Sequence, residues 1–138
     1  MSGNNQTITS KQGIIYSDIP NNFAKAPFSN DLAKVTNINA VKQSLKNIAK
    51  TILGERLYDN TIGRSSSDYA QFGLNDDLAT SNIQHTLKDA LALEPRASIS
   101  QITVDTTSIV NAMVITIYFS VINTGGTYST AIILNRTR

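Results

Sequence analysis

Apolar residues in the first half of the chain recur with the period of an α-helix. Between positions 41 and 53 they follow the spacing i, i+4, i+7, i+8, i+11 and i+12, which defines one stripe: Val41, Leu45, Ile48, Ala49, Ile52 and Leu53. Asn37 or Asn39 would cap the start of this helix. Gly54 would cap its end, since glycine adopts the left-handed conformation at no steric cost. The pattern predicts a first helix that ends at Gly54.

Another side of this predicted helix carries a row of three lysines. Lys42, Lys46 and Lys50 are spaced i, i+4 and i+8. Like charges at that spacing destabilise an isolated helix by a few tenths of a kcal/mol per pair, about 0.2–0.5. The row is interpreted either as a solvated face or as a docking surface for an acidic partner.

A second helical stripe precedes a proline. Ser81 and Gln84 form a capping-box pattern, which predicts that this helix starts near Ser81. Its apolar face consists of Ile83, Leu87, Ala90 and Leu91. Pro95 disfavours helical geometry at Glu94 and ends the helix.

After Pro95 the apolar period changes from about 3.6 to 2, which indicates β-strands. Ile102 and Val104 alternate with polar residues in a first strand. A second strand places one set of alternating side chains on one face: Met113, Ile115, Ile117, Phe119 and Val121. The run 124–126, Thr-Gly-Gly, is a hairpin signal, and the third strand runs from Tyr128 to Leu134. Two helices followed by a three-stranded antiparallel meander predict an α+β domain.

The same patterns predict the domain limits and the core. Residues 1–12 are polar and are expected to form a flexible arm, and residues 13–138 a single domain. In the loop after the first helix, three aromatic side chains are expected to contact the core: Tyr58, Tyr69 and Phe72. The central core is predicted to contain Leu45, Ile48, Leu87, Leu91, Ile117 and Phe119.

Composition narrows the classes of function. The chain has 138 residues, a net charge of +2 and 16% charged residues, so its surface is rich in neutral polar side chains. Its basic residues are scattered and match no nucleic-acid-binding motif, so nucleic acid is not an expected partner. It has no Cys, which excludes disulfides and thiolate metal sites. No apolar run reaches the ~20 residues of a membrane helix, and no signal peptide or membrane contact is expected.

The titratable residues do not suggest an active site. The two Glu residues, Glu55 and Glu94, each lie within two positions of an Arg, and a guanidinium favours the ionised carboxylate. A glycosidase acid needs the opposite shift. The single His, His85, has no metal-ligand partners at matching spacing and no nucleophile motif nearby. We therefore expect no enzyme activity, no small-molecule substrate and no cofactor.

Four segments together resemble one protein family. They are 15–19 (Ile-Tyr-Ser-Asp-Ile), 54–59 with Gly63, 94–96 (Glu-Pro-Arg) and 118–122 (Tyr-Phe-Ser-Val-Ile). In this order and spacing they resemble the small baseplate wedge protein of contractile phage tails, the sheath-initiator family shared with type VI secretion baseplates. Some members of that family have been labelled lysozyme-like. The resemblance runs from about residue 14 to the C-terminus, with Leu57 and Asn60 standing where related proteins usually carry prolines.

The resemblance implies a structural role in a virion tail, with assembly in the host cytoplasm. It implies a fold like the interlocking domain of sheath subunits, several copies per particle, and contacts with other wedge proteins and with sheath subunits. Glu94, Pro95 and Arg96 would bind a helical bundle of wedge proteins. The last strand would accept a sheath arm by β-augmentation through its residues Tyr128, Thr130, Ile132 and Leu134.

Alternatives to these interpretations remain open. Glu94 and Arg96 could instead pair within the chain or lie in solvent. The protein could be a tail-borne peptidoglycan hydrolase, or the equivalent subunit of a type VI or other injection system.

Overall fold

The structure is a computed structural model that describes residues 15–65 and 77–135. Its elements, in chain order, are β1 (Ser17–Asp18), β2 (Val35–Thr36), α1 (Asn37–Lys50), α2 (Asp77–Leu91), β3 (Ala97–Asp105), β4 (Ala112–Val121) and β5 (Thr127–Asn135). The predicted arm, residues 1–12, lies outside the described residues. The α+β class and the order of the main elements are confirmed.

The C-terminal half forms the predicted antiparallel meander, with strand order β3-β4-β5. The central strand β4 therefore pairs on both sides, and β3 and β5 are the two edges. Along β4 the predicted inward residues are all buried: Met113, Ile115, Ile117, Phe119 and Val121. The period-2 pattern thus assigned the faces of this strand correctly.

Both helices pack against one face of the meander. α2 contacts β3, α1 contacts β5, and the two helices contact each other. The predicted core is confirmed, because five of its six side chains are fully buried: Leu45, Leu87, Leu91, Ile117 and Phe119. Ile48 is half-buried and packs against the same cluster.

The ends of α1 differ from the prediction. The N-cap residue is Thr36, whose side chain makes no capping hydrogen bond to the helix. Asn37 instead accepts hydrogen bonds on Oδ1 from the backbone of Ile15 (2.8 Å) and Tyr16 (3.3 Å), which ties the N-terminal segment to the helix. α1 ends at Lys50, and Gly54 lies in a turn beyond it rather than at a helix cap.

The early end of α1 has a tertiary cause. Ile52 forms a parallel β-bridge with Arg64, and backbone bonds join Leu53 to Arg64 (2.9 Å) and Arg64 to Thr51 (2.9 Å). Gly63 permits this approach, because a Cβ at that position would lie 2.7 Å from the carbonyl oxygen of Thr51. Chain pairing therefore competes with the last turn that the apolar spacing predicted.

Three further predictions need correction or fall outside the description. α2 begins at Asp77, one turn before Ser81, so the predicted capping box lies inside the helix. Tyr58 is fully exposed and does not contact the core. Tyr69 and Phe72 lie outside the described residues. The pairing of β1 with β2 as a small antiparallel sheet was not predicted.

Candidate partner-binding sites

The corner between α2 and β3 is built around the Glu94 carboxylate. α2 ends at Leu91, whose carbonyl accepts a hydrogen bond from the backbone N–H of Glu94 (3.1 Å). The side chain of Glu94 is only 4% exposed. The Arg96 guanidinium donates two parallel hydrogen bonds to this carboxylate, from Nε to Oε1 at 2.7 Å and from Nη2 to Oε2 at 2.9 Å. This two-point geometry is the strong form of an arginine–carboxylate pair.

Two more donors complete the surroundings of this carboxylate. The hydroxyl of Ser44, on α1, donates to Oε2, and the backbone N–H of Arg96 donates to Oε1 at 3.2 Å. Burial alone would raise the pKa of Glu94, but the hydrogen bonds from Arg96 and Ser44 outweigh it and hold that pKa below its usual value. Glu94 is therefore an ionised structural anchor that joins α1 to the α2–β3 corner.

Arg96 also joins this corner to the N-terminal segment and to the end of β4. Its guanidinium carbon lies 5.8 Å from the centre of the Tyr16 ring. The Tyr16 hydroxyl donates to the carbonyl of Ile122 (3.1 Å), and the backbone N–H of Ile122 donates to the carbonyl of Arg96 (3.0 Å). Three of the four segments that carry the family resemblance thus meet at one end of the sheet.

This geometry shows how Glu94 and Arg96 pair within the chain, but it does not test whether they bind a partner. Pairing of Glu94 with Arg96 within the chain, kept open from the sequence, is what the structure contains. The Arg96 side chain remains 26% exposed, so part of the guanidinium is accessible at the surface. Binding of a partner at Glu94, Pro95 and Arg96 stays a prediction, and the partner would meet Arg96 rather than the buried carboxylate.

The second candidate site is the free edge of β5, where the direction of the backbone groups follows from one hydrogen bond. Ile122 donates its N–H to Arg96, just before β3, so the backbone groups of Ile122 point toward β3. Backbone groups alternate in direction along a strand. Counting back from Ile122 along β4, the backbone groups of Phe119 and Ile117 therefore point toward β5. The register between β4 and β5 is unbroken, so the same assignment holds along both strands.

The partners of those β4 residues are the four that were predicted to contact a sheath arm. Tyr128 pairs with Phe119, Thr130 with Ile117, Ile132 with Ile115 and Leu134 with Met113. Their N–H groups consequently point toward β4. Three of their side chains are buried at 6%, 3% and 9% exposure, namely Thr130, Ile132 and Leu134.

The alternate residues of β5 carry the outward backbone groups. Ser129, Ala131 and Ile133 point their N–H and C=O groups away from β4, and all three side chains are exposed. A strand added at this edge would pair with these three residues. The four residues named from the sequence lie on β5, but their backbone groups point toward β4 rather than toward the free edge.

The two sheet edges are not equivalent. β3 is interrupted by a bulge between Ile99 and Gln101 and ends on the charged Asp105. Bulges and charges are the features that protect an edge from strand addition. β5 has nine residues, a continuous register, and no charged residue, proline or glycine. Among the residues that the structure describes, β5 is therefore the edge without these protective features.

Little in the described residues resembles catalytic machinery. His85 pairs with Asp89 at 3.2 Å, and both side chains are more than two-thirds exposed. Within residues 15–65 and 77–135, no group of three or more His, Cys, Asp or Glu side chains is placed to hold a metal ion. Neither described helix has the length and apolar character that crossing a membrane requires.

Sequence reasoning missed Ser44 and the three outward residues of β5, Ser129, Ala131 and Ile133. Ser44 lies among polar neighbours on α1, and no pattern in the sequence marks it as the partner of a carboxylate 50 positions away. Ala131 could have been found, because strand alternation leaves only two phases for the outward groups. Choosing between those phases required the Ile122–Arg96 bond.

Two solved structures share this fold. The crystal structure of a candidate tail lysozyme from Geobacter sulfurreducens is 20% identical, covers 71% of this chain and 89% of its own, and has a TM-score of 0.62. A chain of the cryo-EM structure of the anti-feeding prophage (AFP) baseplate is 16% identical, covers 89% of this chain and 87% of its own, and has a TM-score of 0.58. No family model and no curated protein matches the chain. The chain thus has a baseplate-type fold.

Proposed function

We propose that this protein is a structural baseplate subunit of a contractile tail, which starts the sheath by accepting a strand at β5. The observation that carries the proposal is the unprotected nine-residue edge of β5. Exposed edges of this kind pair readily with other chains, and proteins that do not use them normally block them. The likeness of the fold to a chain of the AFP baseplate supports a place in such an assembly.

Strand addition would proceed through the outward backbone groups. Ser129, Ala131 and Ile133 offer N–H and C=O groups that set the register of the incoming strand, as main-chain bonds do in other β-augmented complexes. Each added hydrogen bond contributes a net ~0.5–1.5 kcal/mol. The added strand would extend the meander to four strands without any rearrangement of the core.

The corner formed by Glu94, Arg96 and Tyr16 would hold the subunit in the baseplate. Glu94 fixes the direction of Arg96, and Arg96 with Tyr16 presents a cation and an aromatic ring at one surface. This surface would bind the helical bundle of neighbouring wedge proteins in each of several copies per particle. The protein would then link wedge and sheath through a corner and an edge of one sheet, in the tail of a virion assembled in the host cytoplasm.

A proline at an outward position tests the sheath role. Ala131→Pro removes one outward N–H and places a ring in the path of the added strand, while the bonds to β4 remain. We expect complete baseplates without sheath by negative-stain microscopy. Ala131→Val is the matched control, because it keeps the N–H and should assemble normally. Sheaths of normal length on folded Ala131→Pro baseplates would contradict the proposal.

The competing function is hydrolysis of peptidoglycan, which the likeness to a candidate tail lysozyme favours. The lowered pKa of Glu94 opposes that role, because a glycosidase general acid needs a raised pKa. We propose that the protein is not an enzyme. A zymogram on peptidoglycan tests this directly: clearing by the purified protein that disappears in Glu94→Gln would support the hydrolase. Genes flanking the coding sequence would separate a phage from a type VI or other injection system.

A further inference from the structure

The flank of α1 that faces away from α2 is defined by one hydrogen bond. Ser44 donates to Glu94, which lies in the turn between α2 and β3, on the side of the sheet that α2 covers. α1 itself contacts β5, at the other side of the sheet. An α-helix turns by about 100° per residue, so Lys42 and Lys46 lie about 160° from Ser44 around the helix axis. Those lysines therefore lie on the flank of α1 away from α2, which is the side of the sheet that ends in β5.

The two lysines have no ionic partner within the described part of the chain. The ion pairs found there are His85 with Asp89 and Arg96 with Glu94. Lys42 and Lys46 are both half-buried. Long basic side chains of this kind pack their stems on the protein and keep their ammonium groups in solvent. β5 contributes no charged side chain of its own. The edge is thus neutral along its backbone and positive along its border with α1.

The spacing of the lysines matches the spacing of alternate residues on a strand. Four residues of a helix rise about 6 Å. Two residues of a strand rise about 6.6–6.8 Å, and alternate side chains share one face. Carboxylates at every second position of a strand that runs along α1 would therefore reach successive lysines of the row, which continues to Lys50.

We infer that the segment that adds to β5 is an extended strand with acidic side chains at every second position, on the face turned toward α1. This inference rests on the proposed strand addition at β5 and specifies the chemistry of its partner. The main-chain bonds would provide register, and the carboxylates would select the face and the partner. Selection by complementary charge affects specificity and association rate more than total affinity.

Two model peptides separate this inference from strand addition itself. One is a nine-residue peptide in which Glu and Thr alternate, and the matched peptide has Gln at every Glu position. Each is titrated into the folded protein at low ionic strength, and binding is followed by the NMR amide shifts of Ala131 and Ile133. We expect the Glu peptide to bind about fivefold more tightly than the Gln peptide, as two exposed ion pairs would allow.

Charge variants test whether Lys42 and Lys46 cause the difference in affinity between the Glu and Gln peptides. In the double variant Lys42→Gln/Lys46→Gln the affinity ratio should fall close to one. The control Lys25→Gln/Lys88→Gln removes the same net charge from other surfaces and should keep the ratio. Equal binding of both peptides to the unmodified protein, lost in Ala131→Pro, would overturn the acidic-strand inference and leave strand addition standing.

Two further outcomes would contradict both the acidic-strand inference and strand addition at β5. If Ala131→Pro still binds the Glu peptide as tightly as the unmodified protein, the attraction is a general charge effect, and both the inference and strand addition at β5 are contradicted. Absence of any shift at Ala131 and Ile133 with either peptide contradicts both as well.

Discussion

The hydroxyl of Tyr16 donates a hydrogen bond to the backbone carbonyl of Ile122, across a sequence separation of 106 residues. This bond holds the segment before β1 against the end of the central strand. The Tyr16 ring also faces the Arg96 guanidinium, which is fixed in turn by Glu94. The end of the sheet opposite the β3–β4 loop is therefore a single connected cluster, and its members should respond to mutation together.

The Glu94–Arg96 pair should give unequal losses of stability. Arg96→Ala leaves a buried carboxylate without its main partner, and we expect it to lower the free energy of unfolding by about 3–5 kcal/mol. Glu94→Ala leaves an arginine that reaches solvent, so a smaller loss of about 1–3 kcal/mol is expected. Glu55→Ala, at the other Glu, should cost less than about 1 kcal/mol because Glu55 is exposed. Urea unfolding measures all three, and a larger loss for Glu94→Ala than for Arg96→Ala would show that the pair is assigned incorrectly.

The lowered pKa of Glu94 makes the fold acid-sensitive. An unfolded Glu has a pKa of about 4.3, so as the pH falls the unfolded chain binds this proton before the native chain does. The stabilisation is complete above about pH 4.3 and is lost as the pH falls through the lower native pKa. Urea midpoints measured at about pH 6 and pH 3 should therefore fall less in Glu94→Gln than in the unmodified protein. An equal fall in both would mean that the carboxylate is not held as an anion in the native state.

Asp105 contributes to the same acid sensitivity at a lower pH. The Ser108 hydroxyl and the backbone N–H of Thr107 donate to its carboxylate and lower its pKa to about 2. An unfolded Asp has a pKa of about 3.9, so this stabilisation is present above that pH and is lost as the pH falls toward 2. NMR titration of the Asp105 side chain checks the value directly. A midpoint near 3.9 would show that the β3–β4 loop does not hold this carboxylate.

The core should be sensitive to truncation and the exposed loop should not. Leu45→Ala and Phe119→Ala each remove a fully buried side chain and should cost about 2–5 kcal/mol. Leu57 is 94% exposed, so Leu57→Ala is the matched control and should change stability by less than about 0.5 kcal/mol. Chemical denaturation distinguishes these values. Similar losses at Leu45 and Leu57 would contradict the assignment of the core.

Gly63 should not tolerate a side chain. Its φ is +135°, and an added Cβ would lie 2.7 Å from the carbonyl oxygen of Thr51, which the backbone cannot easily relieve. Gly54 has a φ of +86° but open space around the same position. Gly63→Ala should therefore lower the melting temperature clearly more than Gly54→Ala, where only the backbone preference is lost. Equal melting temperatures would show that the close approach to Thr51 is absent in solution.

Periodicity predicted the parts of the fold that depend on one face being buried. The inward residues of β4, from Met113 to Val121, followed from alternation because the helices cover one side of the sheet. The same logic located the core of both helices, including Leu45 and Leu87. The first and last residues of the helices were predicted less well. α1 stops at Lys50 because the following residues pair with Arg64, and a contact of that range leaves no local signal.

For the site residues too, the sequence predicted the local features but not those that depend on long-range contacts. Sequence and family resemblance pointed to Glu94 and Arg96, but not to the contacts that Glu94 makes with Ser44 and with the backbone of Arg96. On β5 the sequence identified the strand but not the direction of its backbone groups. Only the position of β3 relative to Ile122 resolves that direction.

The central claim is that the outward backbone groups of β5 pair with an incoming strand, and amide hydrogen exchange tests it most directly. In the isolated protein the N–H groups of Ser129, Ala131 and Ile133 should exchange fast, while those of Thr130 and Ile132, which bond to β4, should exchange slowly. In assembled particles that bear a sheath, the three outward amides should become as protected as their inward neighbours. Fast exchange at Ser129, Ala131 and Ile133 in sheathed particles would contradict strand addition at this edge.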